Sequence, residues 1–306
     1  MKFKNDTNLC LKVHGTGSEL LKDFMQFYSE SLNLHENTFY LLRDIIHDRL
    51  GLFYKPEKRD ILADKLSGRV MEKGFDSFLD YYYLLKYDEA AEEEWKQVMD
   101  ALSVQETFFW REVDQISTLV NVLVPQFFSK PRIAPLRIWC AACATGEEPL
   151  TIAMALNEAG WFQRSPIDIF ASDASSIAIE KAKAGVYRER SFRNLSPELR
   201  SKYFSQTSNG WRVSGDLHCR VNWDIVNLMD EPRVSKLAVA PFIFCRNVFI
   251  YFSQQTIRKT VQTFYQHMPD SAYLFVAAAE SLLKVTTDFE LKDIGGAFVY
   301  VKGNKG

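Results

Sequence analysis

The period of the apolar positions changes about a third of the way along the chain. From Asn37, the residues Phe39, Leu42, Ile45, Ile46 and Leu50 recur mostly at spacings of three and four. That is the period of a helix with one buried face, and Gly51 is a stop signal. After Pro56, the residues Ile61, Leu62, Leu66 and Val70 predict a second helix. The aromatic-rich run Phe75 to Leu85 predicts a third. Trp95, Val98, Met99 and Leu102 predict a fourth, entered through the acidic run Asp88 to Glu94. Residues 34–103 therefore read as a small all-α domain. Residues 1–33 read as an N-terminal extension, with Leu20, Leu21, Phe24 and Phe27 on one face of a helix over Ser18 to Ser31.

Residues 104–135 read as a linker that also carries a motif segment, Gln105 to Glu112, taken up below, and from Leu136 the pattern is different. Short apolar runs at Leu136–Ala141, Ile167–Ser172, Arg220–Val226, Pro241–Phe244 and Tyr273–Ala277 predict strands. Helical patterns at Pro149–Leu156, Ser175–Ala184 and Gln254–His267 lie between them. Buried strands alternating with helices predict an α/β fold, a parallel sheet covered on both faces. Phe289–Asp293 and Ala297–Val301, joined by Gly295-Gly296, predict a closing hairpin. Residues 188–219 interrupt the alternation as a small inserted helix-plus-hairpin unit.

Composition narrows the class without choosing a function. The 306 residues are 47% hydrophobic and 25% charged, ordinary for a globular chain with a large core. The formal charge is only −2, which argues against nucleic acid as the main partner. No run of 18 apolar residues is present, so membrane insertion is not expected, and Met1 to Asp6 lacks a signal-like apolar stretch. The five cysteines are an odd number, which fits a reduced cytoplasmic protein. Cys140-x-x-Cys143 has no partner pair for zinc, and the five histidines are scattered, so no metal is expected.

The chemistry concentrates after the first strand. Ala141-Ala142-Cys143-Ala144-Thr145-Gly146-Glu147-Glu148-Pro149 is a small-residue turn into a helix, a ligand-binding position at the carboxyl end of a strand. One glycine is too few for a dinucleotide fingerprint, and the twin acids would repel phosphate. The ordinary role of Glu147 and Glu148 is helix N-terminus stabilisation. Asp173 ends the second strand, where a carboxylate can bind a ribose diol or cap the next helix. Together these features favour a nucleoside ligand without phosphates, and S-adenosylmethionine has that description.

Four segments resemble the chemotaxis receptor methyltransferases, the CheR family. They are Gln105-Glu106-Thr107-Phe108-Phe109-Trp110-Arg111-Glu112, Trp139 to Pro149, Ala171-Ser172-Asp173 with Ala182-x-x-Gly185-x-Tyr187, and Phe244-Cys245-Arg246-Asn247-Val248-Phe249-Ile250-Tyr251-Phe252. The resemblance implies a class I S-adenosylmethionine-dependent methyltransferase domain over residues 136–306. That domain would be Rossmann-like, with a mostly parallel seven-stranded sheet, an antiparallel C-terminal hairpin and a small β insertion. The all-α domain would precede it. The implied activity is methylation of glutamate carboxylates on chemoreceptors, with S-adenosylhomocysteine as product and no metal. By motif position, Glu148 would meet the methionine part of the cofactor, Asp173 its ribose, and Asn227-Leu228 its adenine. Gln105, Thr107, Ala141, Gly146, Cys245 and Arg246 would complete the cofactor site. Arg111 and Tyr251 would stand nearest the reacting carboxylate, with Arg111 also bordering the cofactor.

Several positions depart from the family pattern. Gln105 stands for Asn, Trp110 for Phe, Pro241 for a frequent Asp, and Ala277-Ala278-Ala279-Glu280-Ser281 for a Gly-His-Ser-Glu segment. A methyltransferase acting on another protein or a small molecule, and a non-catalytic module binding the cofactor or a receptor, are the alternative readings. Lys58, Lys65, Arg69 and Lys73 fall at spacings of seven, four and four, on one helical face. The resemblance makes that face a docking surface for the receptor's cytoplasmic coiled coil; a solvated helix face is the ordinary reading. The insertion's hairpin is short, which predicts no dependence on a receptor's pentapeptide tether.

Overall fold

The computed structural model describes residues 32–89, 91–129 and 134–303; the helix expected over Ser18 to Ser31 lies outside them. Four helices form the first domain: α1 (Glu36–Leu50), α2 (Arg59–Glu72), α3 (Phe78–Tyr87) and α4 (Ala91–Leu102). The apolar spacing read above is their core, and Leu42, Ile46, Leu62, Leu66 and Val70 are fully buried. Gly51 ends α1 with φ of 77° while its N–H donates to His47 O, a conformation that glycine adopts at no steric cost. Ser77 caps α3 by accepting the Asp80 N–H.

Three of the basic residues expected to share a docking face also bond within the domain, while Lys58 and Lys73 stay exposed. Glu94, only 1% exposed, accepts from Arg69 Nη2 at 2.7 Å, and Lys73 Nζ lies 3.0 Å from it. Tyr81 Oη donates to the same carboxylate at 2.6 Å. Lys65 Nζ donates to Leu102 O at 2.7 Å. Three of the four cations thus face α4, because a carboxylate buried there needs compensation. Lys58 closes a short 3₁₀ turn before α2 and is exposed.

The second domain is a sheet of seven strands. They are β1 (Leu136–Ala141), β2 (Ile167–Asp173), β6 (Val221–Ile225), β7 (Phe242–Cys245), β8 (Tyr273–Phe275), β9 (Phe289–Ile294) and β10 (Ala297–Lys302). Their order is β6-β2-β1-β7-β8-β10-β9. The pairs among β6, β2, β1, β7 and β8 are parallel, and β10 runs antiparallel to both β8 and β9. β1 is central and apolar on both faces, with Ile138, Trp139, Cys140 and Ala141 fully buried. Helices α5 (Glu147–Glu158) and α6 (Ser176–Ala184) follow β1 and β2, and a long helix over Gln254–His267, α9, follows β7. The strand order reverses between β1 and β7, which opens a crevice at their carboxyl ends.

The insertion is a three-stranded sheet, β3 (Val186–Tyr187), β4 (Phe204–Thr207) and β5 (Gly210–Val213), with α7 (Pro197–Tyr203) packed into it. It begins two residues before the expected boundary. Ser208 and Asn209 alone join β4 to β5. Helix α8 (Glu231–Leu237) precedes β7, and α9 follows it. The expected linker is not a plain connection. Val113–Thr118, Leu119–Leu123 and Val124–Phe128 form one helical stretch with a π turn, and Ile116, Leu119, Leu123 and Val124 lie in the sheet's core.

Burial pushes the Glu94 carboxyl up, but the bonds from Arg69, Tyr81 and Lys73 outweigh it and leave it below its ordinary 4.5. Its stabilising contribution is therefore complete above that value and is lost as pH falls through the depressed one. Glu94→Ala should cost about 3–5 kcal/mol, since it removes the buried carboxylate shared by Arg69, Lys73 and the buried Tyr81 hydroxyl. Urea unfolding at pH 7 and pH 4 measures this. The variant should lose the wild type's decline in stability toward acid that comes from this group.

Candidate functional site

The carboxyl ends of β1, β2, β6 and β7 meet one edge of the helical domain, and a cleft lies between them. Part of its lining is backbone in an uncommon conformation: Ala142, Ala144 and Asn247 have φ between 48° and 61°. Trp110 and Glu112, on either side of Arg111, also have positive φ, and Ser271 is the remaining such non-glycine residue among those described. Residues held this way cluster where function requires a fixed geometry. Gly146 follows at φ of 93°, and a Cβ there would stand 2.7 Å from the Trp223 ring, so α5 can start only from glycine.

Eight of the residues singled out in the sequence line this cleft together: Thr107, Arg111, Glu148, Asp173, Asn227, Leu228, Arg246 and Tyr251. Four others stand beside it rather than on its wall. Ala141 and Cys245 are the last residues of β1 and β7, fully buried in the core. Gly146 sits under Trp223. Gln105 is turned outward, accepting from Lys181 Nζ at 2.8 Å and donating weakly to Ser175 Oγ at 3.4 Å.

The structure adds residues that sequence reasoning missed. Leu50, Leu52, Met99 and Leu102 of the helical domain form an apolar wall. A bridge between Leu52 and Phe252 joins that domain to the turn after β7. Glu280 is the other omission. It is buried and accepts the Asn247 N–H at 2.7 Å, the Ala277 N–H at 3.0 Å and the Ile250 N–H at 3.3 Å. It therefore fixes the loop that carries Arg246, Asn247 and Tyr251. Burial pushes its carboxyl above the ordinary value, against those N–H bonds. The only sequence signal is an acid directly after the alanine run 277–279.

The twin acids after Gly146 have separate fates. Glu147 points away from the cleft and accepts from Thr145 Oγ1 at 2.6 Å and Ser191 Oγ at 2.9 Å, fastening the insertion to α5. Glu148 faces the cleft and accepts from Arg246 Nε at 2.5 Å. Arg246 also donates to Gln115 Oε1 at 3.1 Å and to the Arg111 carbonyl at 3.2 Å. Arg111 is tethered lightly. Its Nη1 donates to Glu106 O at 3.2 Å, and its guanidinium lies 5.3 Å from the Phe108 ring centroid. Burial raises the Tyr251 phenol's pKa, and Arg111 opposes that shift.

Asp173 accepts the Ala144 N–H on Oδ2 and the Ser175 N–H on Oδ1, each at 2.9 Å. Burial drives its carboxyl upward while both N–H groups hold it down. A two-oxygen acceptor fixed at its base leaves lone pairs for a diol at the cleft. Val226 and Leu228 flank Asn227 and offer apolar surface with an amide between, suited to a heteroaromatic base. Glu148 and Arg246 supply one anion and one cation for a zwitterionic end. This donor set fits a nucleoside bearing an amino-acid tail, as S-adenosylmethionine does.

Comparison with known proteins agrees with that chemistry. Residues 37–103 match the family described as CheR methyltransferase, all-alpha domain, and residues 105–296 match CheR methyltransferase, SAM binding domain. The chain is 31% identical to chemotaxis protein methyltransferase 2 of Vibrio cholerae, over 89% of this chain and 94% of that one. It is 29% identical to the chemotaxis protein methyltransferase of Escherichia coli K12, over 86% of this chain and 91% of that one. An all-α domain followed by a class I methyltransferase fold, with the cleft between them, places this chain in the CheR family of chemotaxis methyltransferases.

Proposed function

We propose that the protein transfers the methyl group of S-adenosylmethionine to glutamate side-chain carboxylates on the cytoplasmic coiled coil of chemoreceptors. The observation that carries this reading is the grouping of Arg111 and Tyr251 with Asp173 and Glu148 on one cleft. An arginine and a phenol beside a cofactor-shaped site are the right donors for a carboxylate acceptor.

Asp173 would hold the ribose hydroxyls, Glu148 the ammonium end, and Val226 with Leu228 the adenine. When bound, S-adenosylmethionine supplies a methyl group on a positively charged sulfur. The acceptor needs no base, because a glutamate with pKa of about 4.3 is ionised at neutral pH. The work of the chain is therefore positioning and exclusion of water. Arg111 can orient the carboxylate with two N–H groups and Tyr251 with one O–H. Its weak tether to Glu106 O leaves the Arg111 guanidinium free to adjust to an acceptor. The apolar wall of Leu50, Leu52 and Leu102 keeps water from the opposite side.

On the receptor side, Lys58 before α2 and Lys73 after it are the exposed members of the basic stripe, Lys73 while paired with Glu94. The two-residue turn between β4 and β5 leaves no long loop to fold over a tether peptide.

The direct test is incubation with labelled S-adenosylmethionine and chemoreceptor-containing membranes. Base-labile label on the receptor is the expected result, and cofactor binding without receptor labelling would sink the reading. Arg111→Ala should lower turnover about 100-fold, the scale of a misplaced reacting group, with unchanged thermal unfolding. Unaltered turnover would remove Arg111 from its role. Titration with a receptor C-terminal pentapeptide should give no binding below millimolar concentration; micromolar affinity would refute independence from the tether.

A further inference from the structure

The helical domain meets the cofactor side of the cleft through one carboxylate. Asp100, in the last turn of α4, lies at the N-terminus of α6. Its Oδ1 accepts from Ser175 Oγ at 2.6 Å and from the Ile177 N–H at 3.3 Å, and its Oδ2 accepts from Ser176 Oγ at 2.6 Å. An acid at this position complements both the free N–H groups and the positive end of the helix dipole.

Ser175 has a second attachment. Its backbone N–H donates to Asp173 Oδ1 at 2.9 Å. Its hydroxyl, having given its proton to Asp100, accepts the Ala178 N–H at 3.1 Å and Gln105 Nε2 at 3.4 Å. One donor and two acceptor positions are thus all in use, and the residue is fully buried. A serine with every bond assigned has one orientation. The amide of that serine orients the carboxylate that lines the cleft. Gln105 begins the segment that carries Thr107 and Arg111, so the same turn also anchors the acceptor side.

We propose that Asp100 is a positioning residue for the cofactor site, acting on Asp173 through Ser175, so that the all-α domain helps to set cofactor affinity. This rests on the reading of the cleft as an S-adenosylmethionine site. Without the Asp100 carboxylate, the Ser175 and Ser176 hydroxyls and the Ile177 N–H lose their acceptor. The first turn of α6 is then held less firmly, and with it the Ser175 amide that directs Asp173 Oδ1.

Calorimetric titration of the full chain with S-adenosylhomocysteine tests the link. Asp100→Ala should weaken binding about 10-fold, the scale of one hydrogen bond to a charged group. Asp100→Asn, which keeps an acceptor for Ser175 Oγ, should stay within about 3-fold of wild type. The double variant Asp100→Ala/Asp173→Asn should bind no more weakly than Asp173→Asn alone, because the two changes act on one contact. In steady state, KM for S-adenosylmethionine should rise while kcat at saturation changes less than about 2-fold. Should Asp100→Ala fail to fold, Ser175→Ala cuts the same chain of bonds and should show the same loss. Wild-type affinity in Asp100→Ala, or losses that multiply in the double variant, would overturn the link alone. A wild-type chain that does not bind S-adenosylhomocysteine would overturn the cofactor reading beneath it.

Discussion

The site depends on one buried guanidinium. Arg246 stands at the end of β7 with its side chain only 3% exposed. It ties the first turn of α5 through Glu148, the helical stretch after the Gln105–Glu112 segment through Gln115, and that segment's backbone through the Arg111 carbonyl. Gln115 in turn donates to Val276 O at the end of β8. A buried ion pair of this kind adds little net stability, since desolvation offsets its attraction. Its contribution is geometric. Arg246 decides where the motif segment crosses the sheet, and hence where the Arg111 side chain enters the cleft. Glu280 performs the complementary task on the next residue, holding the Asn247 amide from below.

Charge in this chain is used first for folding. Spacing puts the four cations of the α2 stripe on one side, and the family resemblance made that side a partner surface. In the folded domain that side faces a carboxylate from α4. The acidic run that supplies Glu94 lies more than twenty residues away in sequence, and its exposed members Glu92 and Glu93 pair with Arg49 and Lys96. A near-zero net charge thus conceals opposite charges from different helices that pair around the domain's apolar core.

Strand positions were legible because each apolar run is bounded by turn residues, and the observed β1 spans the expected Leu136–Ala141. The cleft was legible where a strand ends in small or acidic residues, as at Ala142 and Asp173. A motif does not say which of its residues face the ligand, so Cys245 and Ala141 lie in the core while their neighbours line the wall. Leu50, Leu52 and Leu102 were hidden for a different reason. Apolar residues at helical spacing read as core, and only the meeting of two domains gives them a ligand-facing side. Glu280 was hidden because its partners lie some thirty residues upstream, in a loop whose geometry no local pattern specifies.

The left-handed backbone at Ala142 and Ala144 restricts how this loop can vary. A side chain longer than a methyl there would meet two penalties at once, the steric cost of positive φ and intrusion into the cleft. Glycine would relieve the strain but enlarge the unfolded ensemble that folding must narrow. Alanine therefore sits at a compromise between a tense folded loop and a looser unfolded chain. The floor of the cleft is in this sense written in main-chain torsion angles, and a change of ligand preference would have to come from its walls.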